Sequence, residues 1–222
     1  MPPERIKLGS VGKAAPWGEV AISPEGEILI KGDFLFMGYL NQPEKTAETI
    51  DARGWLHTGD VGEWVDGRFL KITGRAKDII ITSGGKNITP SEIENAIKAS
   101  PYVKEAVVVG DGRKFLSALV GIELDTVGDW AQRNGVPYTT YRDLSEKAEV
   151  VRLIQGVLRD ANERFARVEQ IKRFRMIPKE LDHEDGELTA TQKVKRAAVA
   201  ALFADHVEAM YGGAPVGAGA EV

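Results

Sequence analysis

Between Gly18 and Gly74 the apolar positions fall into short runs set apart by turn residues. Glu19-Val-Ala-Ile-Ser23, Glu27-Ile-Leu-Ile-Lys31, Gly54-Trp-Leu-His57 and Arg68-Phe-Leu-Lys-Ile72 are rich in β-branched and aromatic side chains, which predicts a sheet. Asp66-Gly67 lies between Glu63-Trp-Val65 and Arg68-Phe-Leu70 and offers the positive φ angles a tight hairpin needs. One helix interrupts this region, beginning at Pro43 and running through Ile50, because proline is preorganised for a first helical turn.

Past Arg75 the pattern changes. A β run at Asp78-Ile-Ile-Ile-Thr82 meets a Gly-Gly turn, and Thr89-Pro-Ser-Glu92 then carries a cap, a first-turn proline and a capping-box acid for a helix to Ser100. Val103–Val109 and Phe115–Ile122, joined through Gly110-Asp-Gly-Arg113, predict a hairpin. Leu144, Ala148, Val151, Ile154, Leu158, Ala161 and Phe165 recur at helical spacing and predict one long amphipathic helix from Tyr141 to Ala166. A strand at Ile171–Ile177 follows, then a last helix over Val194–Met210 that turns Val194, Ala198, Ala201, Leu202 and Val207 inward. The expected class is α+β: a β-rich piece over 1–76, an α+β domain over 77–211, and a flexible Gly- and Ala-rich tail over 212–222.

Composition narrows the functions. In 222 residues, 43% hydrophobic with a formal charge of −4, no global excess of positive charge points to nucleic acid. Cysteine is absent, which excludes disulfides and thiolate catalysis and fits a reducing, cytoplasmic setting. No apolar run approaches the roughly 20 residues of a membrane helix, and Met1-Pro-Pro-Glu-Arg5 has no signal-peptide core. A peripheral membrane association stays open. His57, His183 and His206 stand singly and read as surface or structural residues rather than metal ligands. Walker, G-x-G-x-x-G, H-E-x-x-H and G-x-S-x-G patterns are all missing.

Five ordered segments remain: Gly38-Tyr-Leu-Asn-Gln-Pro-Glu-Lys-Thr46, Gly54-Trp-Leu-His-Thr-Gly-Asp60, Gly74-Arg-Ala-Lys-Asp-Ile-Ile80, Ser83-Gly-Gly-Lys-Asn-Ile88 with Pro90-Ser-Glu-Ile-Glu94, and Leu188-Thr-Ala-Thr-Gln-Lys-Val-Lys-Arg196. Their order and spacing resemble the adenylate-forming superfamily, and the last two are similar to its long-chain fatty acyl-CoA synthetases. The resemblance implies ATP-dependent joining of a carboxylate to AMP, followed by acyl transfer to coenzyme A, with ATP/AMP, CoA and Mg2+ as cofactors. It implies a large N-terminal domain as partner and a small mobile C-terminal domain, of which this chain would hold the end of the first and all of the second.

Residue by residue, the resemblance makes Asp60 the acceptor for the ribose hydroxyls, since a carboxylate can accept from both members of a diol. Arg75 becomes a second ribose or phosphate contact and Lys77 the hinge, a position that only has to absorb backbone rotation. Ser83, Gly84, Gly85 and Lys86 become the loop lining the CoA tunnel, where glycine permits close approach to a thin ligand. Lys193 becomes the catalytic cation, an ammonium placed where negative charge grows as the carboxylate attacks the α-phosphorus. Arg167, Lys172, Arg173, Arg175 and Lys179, with Lys193, Lys195 and Arg196, are read either as contacts for CoA phosphates or as a mixed-charge surface with the acids of 180–187.

Ala190 stands where the long-chain enzymes usually carry proline. The phosphate loop, acyl pocket and metal-binding glutamate segment find no counterpart in this sequence, so the isolated chain is expected to make no acyl adenylate. Two alternatives remain: another adenylate-forming ligase with an aryl, acetyl or aminoacyl substrate, or a non-catalytic module that binds nucleotide or a partner.

Overall fold

The computed structural model describes residues 6–212 and 216–222. It divides into two compact units between Ile79 and Ile80. The first holds strands β1 (Glu19–Ile22), β2 (Glu27–Lys31), β3 (Leu56–Val65) and β4 (Phe69–Arg75) in one antiparallel sheet of that order, with helix α1 (Pro43–Thr49) between β2 and β3. The β3–β4 turn matches its sequence signal, with φ of 52° at Asp66 and 65° at Gly67. A 3₁₀ turn at Ala76–Asp78 ends the unit.

The second unit begins with a two-stranded ribbon, β5 (Ile80–Ile81) and β6 (Asn87–Ile88), and continues into helix α2 (Pro90–Lys98). Thr89 takes the extended backbone of an N-cap, but its side chain makes no capping bond, so proline preorganisation rather than a capping box starts the helix. The main sheet follows. Strands β7 (Val103–Val109) and β8 (Leu116–Ile122) form the expected hairpin, and β9 (Ile171–Met176) lies parallel to β8. Between β8 and β9 run α3 (Leu124–Arg133), α4 (Tyr141–Glu146) and α5 (Ala148–Asn162), and α6 (Arg196–Leu202) and α7 (Ala204–Met210) come after.

Both faces of this sheet are covered, which is why β7 and β8 read as nearly continuous apolar runs rather than alternating ones. Val108, Ala118, Val120, Ile122 and Phe174 face Ile93, Ile97, Ile154 and Leu158 of α2 and α5 on one side. Val107, Val109, Leu119 and Ile177 meet Val199, Phe203 and Met210 of the α6–α7 layer on the other.

Three further expectations change, and one helix is new. The helix expected over 141–166 is broken at Lys147, whose φ of −63° and ψ of 134° are extended, and Val150 rather than Ala148 continues the buried stripe from Leu144. The last helix is split at Phe203 and starts at Arg196; Leu202 points outward at 55% exposure while Val199 and Phe203 are buried. Helix α3 joins the fold without a sequence expectation. The expected flexible tail is corrected in its last part: Gly219–Glu221 form strand β10, antiparallel to β9, with Ala218, Ala220 and Val222 packed on the core. Unpaired β9 backbone outweighs the low side-chain content of that segment. Residues 213–215 of the tail lie outside the described residues.

Candidate functional site

In the first unit the geometry centres on an irregularity in β3. Opposite β2, Glu27 pairs with Val61 and Leu29 with His57, so β3 carries extra residues at Thr58-Gly59-Asp60. Such a bulge re-aims a side chain. Glu27 clamps it: Oε1 accepts from the Gly59 amide at 2.9 Å and Oε2 lies 2.8 Å from His57 Nδ1. Thr58 donates to the Ile28 carbonyl at 2.7 Å and accepts from the Asp60 amide at 3.1 Å. A little further along, a Cβ at Gly62 would come 2.5 Å from the Lys71 carbonyl, so only glycine lets β3 and β4 close here.

Asp60 and Arg75 are brought together. They are register partners, with Arg75 Nε 2.8 Å from Asp60 Oδ1. Asp60 keeps 28% and Arg75 54% of the side chain exposed, leaving room for a ligand to accept from the guanidinium or donate to the carboxylate. Lys77 is exposed within the 3₁₀ turn, two residues after Arg75 and shortly before the boundary between the units in sequence.

In the second unit, Ser83-Gly84-Gly85-Lys86 is the exposed tip of the β5–β6 ribbon. Buried Thr82 ties its base, accepting the Lys86 amide at 3.2 Å, and the Ser83 amide donates to the Arg113 carbonyl at 2.9 Å. Gly85 has a φ of 77° with nothing near a would-be Cβ, so the glycine there serves backbone conformation.

Lys193 sits on a second turn, between Leu188 and Val194, which form an antiparallel bridge. The Thr189 amide donates to the Lys193 carbonyl at 2.8 Å, and the Lys193 amide to Thr189 Oγ1 at 3.0 Å. Gln192 holds a φ of 58°, and the turn closes without proline at Ala190. The ammonium is exposed and has no ion-pair partner among the described residues. No hydrogen bond or ion pair among them joins it to the Ser83–Lys86 loop.

Four supporting residues escaped sequence reasoning in these roles: Glu27, Glu187 and the Glu94–Arg196 pair. Glu187, 2% exposed, accepts from the Asp182 amide at 2.9 Å and lies 2.6 Å from Lys179 Nζ, while its carbonyl accepts from the Lys195 amide at 2.8 Å. Glu27 and Glu94 meet partners 32 and 102 residues away, a separation no local pattern reports. Of the basic set, Lys179 alone has ion pairs with the acids of 180–187 among the described residues, and two of the others pair elsewhere. Lys179 pairs with Asp185 and Glu187, Arg173 with Glu221, and Arg196 with Glu94. The two acids hold the Lys179 ammonium's pKa above its ordinary value.

A family profile described as the AMP-binding enzyme C-terminal domain matches residues 77–214. The chain belongs to this family. Curated proteins similar to this chain carry ligase names. A long-chain-fatty-acid–CoA ligase of Mycobacterium tuberculosis is 39% identical over 207 residues, 93% of this chain and 34% of that protein. One of Bos taurus is 37% identical over 232 residues, 94% of this chain and 32% of that protein. The chain therefore spans about a third of these relatives' length. Among solved structures, the o-succinylbenzoate CoA synthetase of Bacillus subtilis in complex with its acyl-adenylate intermediate superposes with a TM-score of 0.63 at 26% identity, covering 87% of this chain and 36% of that one. The adenylation domain of a carboxylate reductase from Mycobacterium chelonae shares the fold, with a TM-score of 0.71 at 24% identity over 87% of this chain and 30% of that one.

Another structure of the Bacillus subtilis synthetase holds ATP and a magnesium ion. In this chain, no three His, Asp or Glu side chains among the described residues gather as a metal site, so no step is assigned to magnesium on them. No described helix is long and apolar enough to cross a membrane.

Proposed function

We propose that this chain is the C-terminal portion of an ATP-dependent long-chain fatty acid–CoA ligase, with 1–76 closing its large domain and 77–211 forming its mobile one. The observation that carries this is the 39% identity to a long-chain-fatty-acid–CoA ligase across 93% of the chain, containing every segment that bears candidate chemistry. In this reading the ribose diol donates to Asp60 while Arg75 contacts ribose or phosphate, the two side chains already being neighbours at 2.8 Å. The unpaired Lys193 ammonium meets the carboxylate and phosphoryl oxygens as the acyl oxygen attacks phosphorus and pyrophosphate leaves. Charge that grows in the transition state is stabilised more than the ground state. Rotation at Lys77 then withdraws Lys193 and presents Ser83–Lys86, whose glycines let the pantetheine pass as the CoA sulfur takes the acyl group and AMP departs. The working compartment is the cytoplasm, with ATP, fatty acid and CoA as small-molecule partners.

In the full-length ligase, Lys193→Ala is expected to slow acyl-adenylate formation about a hundredfold and to spare thioester formation from preformed acyl-AMP. Equal loss in both half-reactions would refute the assigned role. The isolated chain is expected to release no pyrophosphate from ATP and fatty acid. A panel of long-chain, aryl, acetyl and aminoacyl acids on the full-length protein decides the substrate class.

A further inference from the structure

Strand β7 is the edge of the main sheet, and at Val108 its outward backbone groups have no neighbouring strand. An edge of this kind must be covered or paired. Here one ion pair does both. Glu94 Oε1 accepts from the Val108 amide at 2.7 Å, and Arg196 Nη1 donates to the Val108 carbonyl at 3.1 Å. The two side chains also bond to each other through both forks, Arg196 Nη2 to Glu94 Oε2 at 2.8 Å and Nη1 to Oε1. The pair therefore takes the place of a peptide group in an absent strand.

Its position in the layers gives this a consequence. Glu94 belongs to α2, on the face packed by α5, and Arg196 is the first residue of α6, on the opposite face. The pair reaches around the sheet edge and ties the two layers together. With exposures of 13% for Glu94 and 22% for Arg196 it is largely shielded from solvent, where a bidentate carboxylate–guanidinium contact is strong and geometrically specific. Arg196 is also the residue at which the Lys193 turn joins a helix. The other leg of that turn is held at Glu187.

We infer that Glu94, acting through Arg196, is a positioning residue for Lys193: the pair fixes the exit of the 188–194 turn against the β7 edge and so sets where the lysine stands. This rests on the adenylation role proposed above, and two measurements separate the two ideas. In the 222-residue chain, Glu94→Gln and Arg196→Lys are expected to raise amide exchange at Thr189, Lys193 and Lys195 about tenfold or more, while the Ile177 amide, bonded to Val120, keeps its protection. Unchanged exchange in the turn, or a uniform rise throughout the unit, would overturn the inference whatever the lysine does. In the full-length ligase the same variants are expected to slow pyrophosphate release about 10- to 100-fold with the KM for ATP nearly unchanged, and to leave thioester formation from acyl-AMP intact. A parallel fall in both half-reactions marks a merely structural pair and overturns it. So does unaltered adenylation where Lys193→Ala slows it. Should Lys193→Ala itself leave adenylation intact, the catalytic reading fails, and the exchange experiment still decides whether the pair fixes the turn.

Discussion

Strand β8 in the second unit is buried along its whole length, whereas β3 in the first has no fully buried residue. Among its described residues the first unit closes only Ile28, Phe69 and Leu70 off from water and leaves Trp17 at 74%, Phe34 at 52% and Leu40 at 86% exposure. The second builds two cores on one sheet. The contrast shows two ways of fixing a side chain. Around Asp60 the position is set by backbone exceptions: a bulge, a glycine against a carbonyl, a glutamate clamping an amide. Beside Lys193 an exposed turn runs into α6, whose Val199 is packed in the second core, with charge pairs at the margins.

The comparison breaks first at a core residue. Phe174→Ala should destabilise the second unit by about 3–5 kcal/mol in urea unfolding, since the ring is fully buried. The same truncation at half-exposed Phe34 should cost under about 1 kcal/mol, and equal losses would remove the distinction. Next in size, Gly62→Ala should cost the first unit about 1–3 kcal/mol through overpacking against the Lys71 carbonyl. A neutral result there would mean the β3–β4 register is not the controlling feature. A third test uses pH. His206 packs its ring against Gly217 and Phe203, and burial, helped by the nearby Arg175 charge and opposed by Asp205, holds its pKa below the ordinary 6.5. Arg142 adds to the lowering and Glu146 works against it. The unfolded chain then binds this proton more readily. Stability is complete above pH 6.5 and falls as the pH drops toward the folded value. Unfolding midpoints at pH 8 and pH 5 should show this slope, and His206→Phe should flatten it. The smallest effect is expected from Arg75→Gln, within about 1 kcal/mol of wild-type stability, because its pair with Asp60 is solvent-exposed.

Local rules were legible where one residue decides the conformation. Asp66-Gly67 announces its hairpin, Pro43 and Pro90 open their helices, and the apolar runs of β7 and β8 pair as the expected hairpin. Periodicity failed where two elements share one core. Leu144 and Val150 are both fully buried but six residues apart in sequence, a spacing that a continuous helix would put on different faces; the extended Lys147 restarts the phase. Helix α3 offered too little signal, with only Val127, Gly128 and Ala131 buried. Asp60 and Arg75 stand in separate ordered segments of the sequence, and the register of β3 and β4 brings them 2.8 Å apart. The residues that hold such groups in place were not legible. Glu27 and Glu94 are ordinary acids in sequence, and their roles exist only once distant backbone arrives beside them.

The parallel pairing of β8 with β9 bears on how the molecule reaches this arrangement. The β7–β8 hairpin closes through a short loop, but β9 can dock only after residues 123–170 have returned along the sheet. Contacts of such sequence separation form slowly, because chain entropy must be spent before they reward it. Glu94 and Arg196, 102 positions apart, are further separated still. The Glu94–Arg196 pair at the exit of the Lys193 turn therefore closes a longer loop, at a higher entropic cost, than either strand pairing of the sheet.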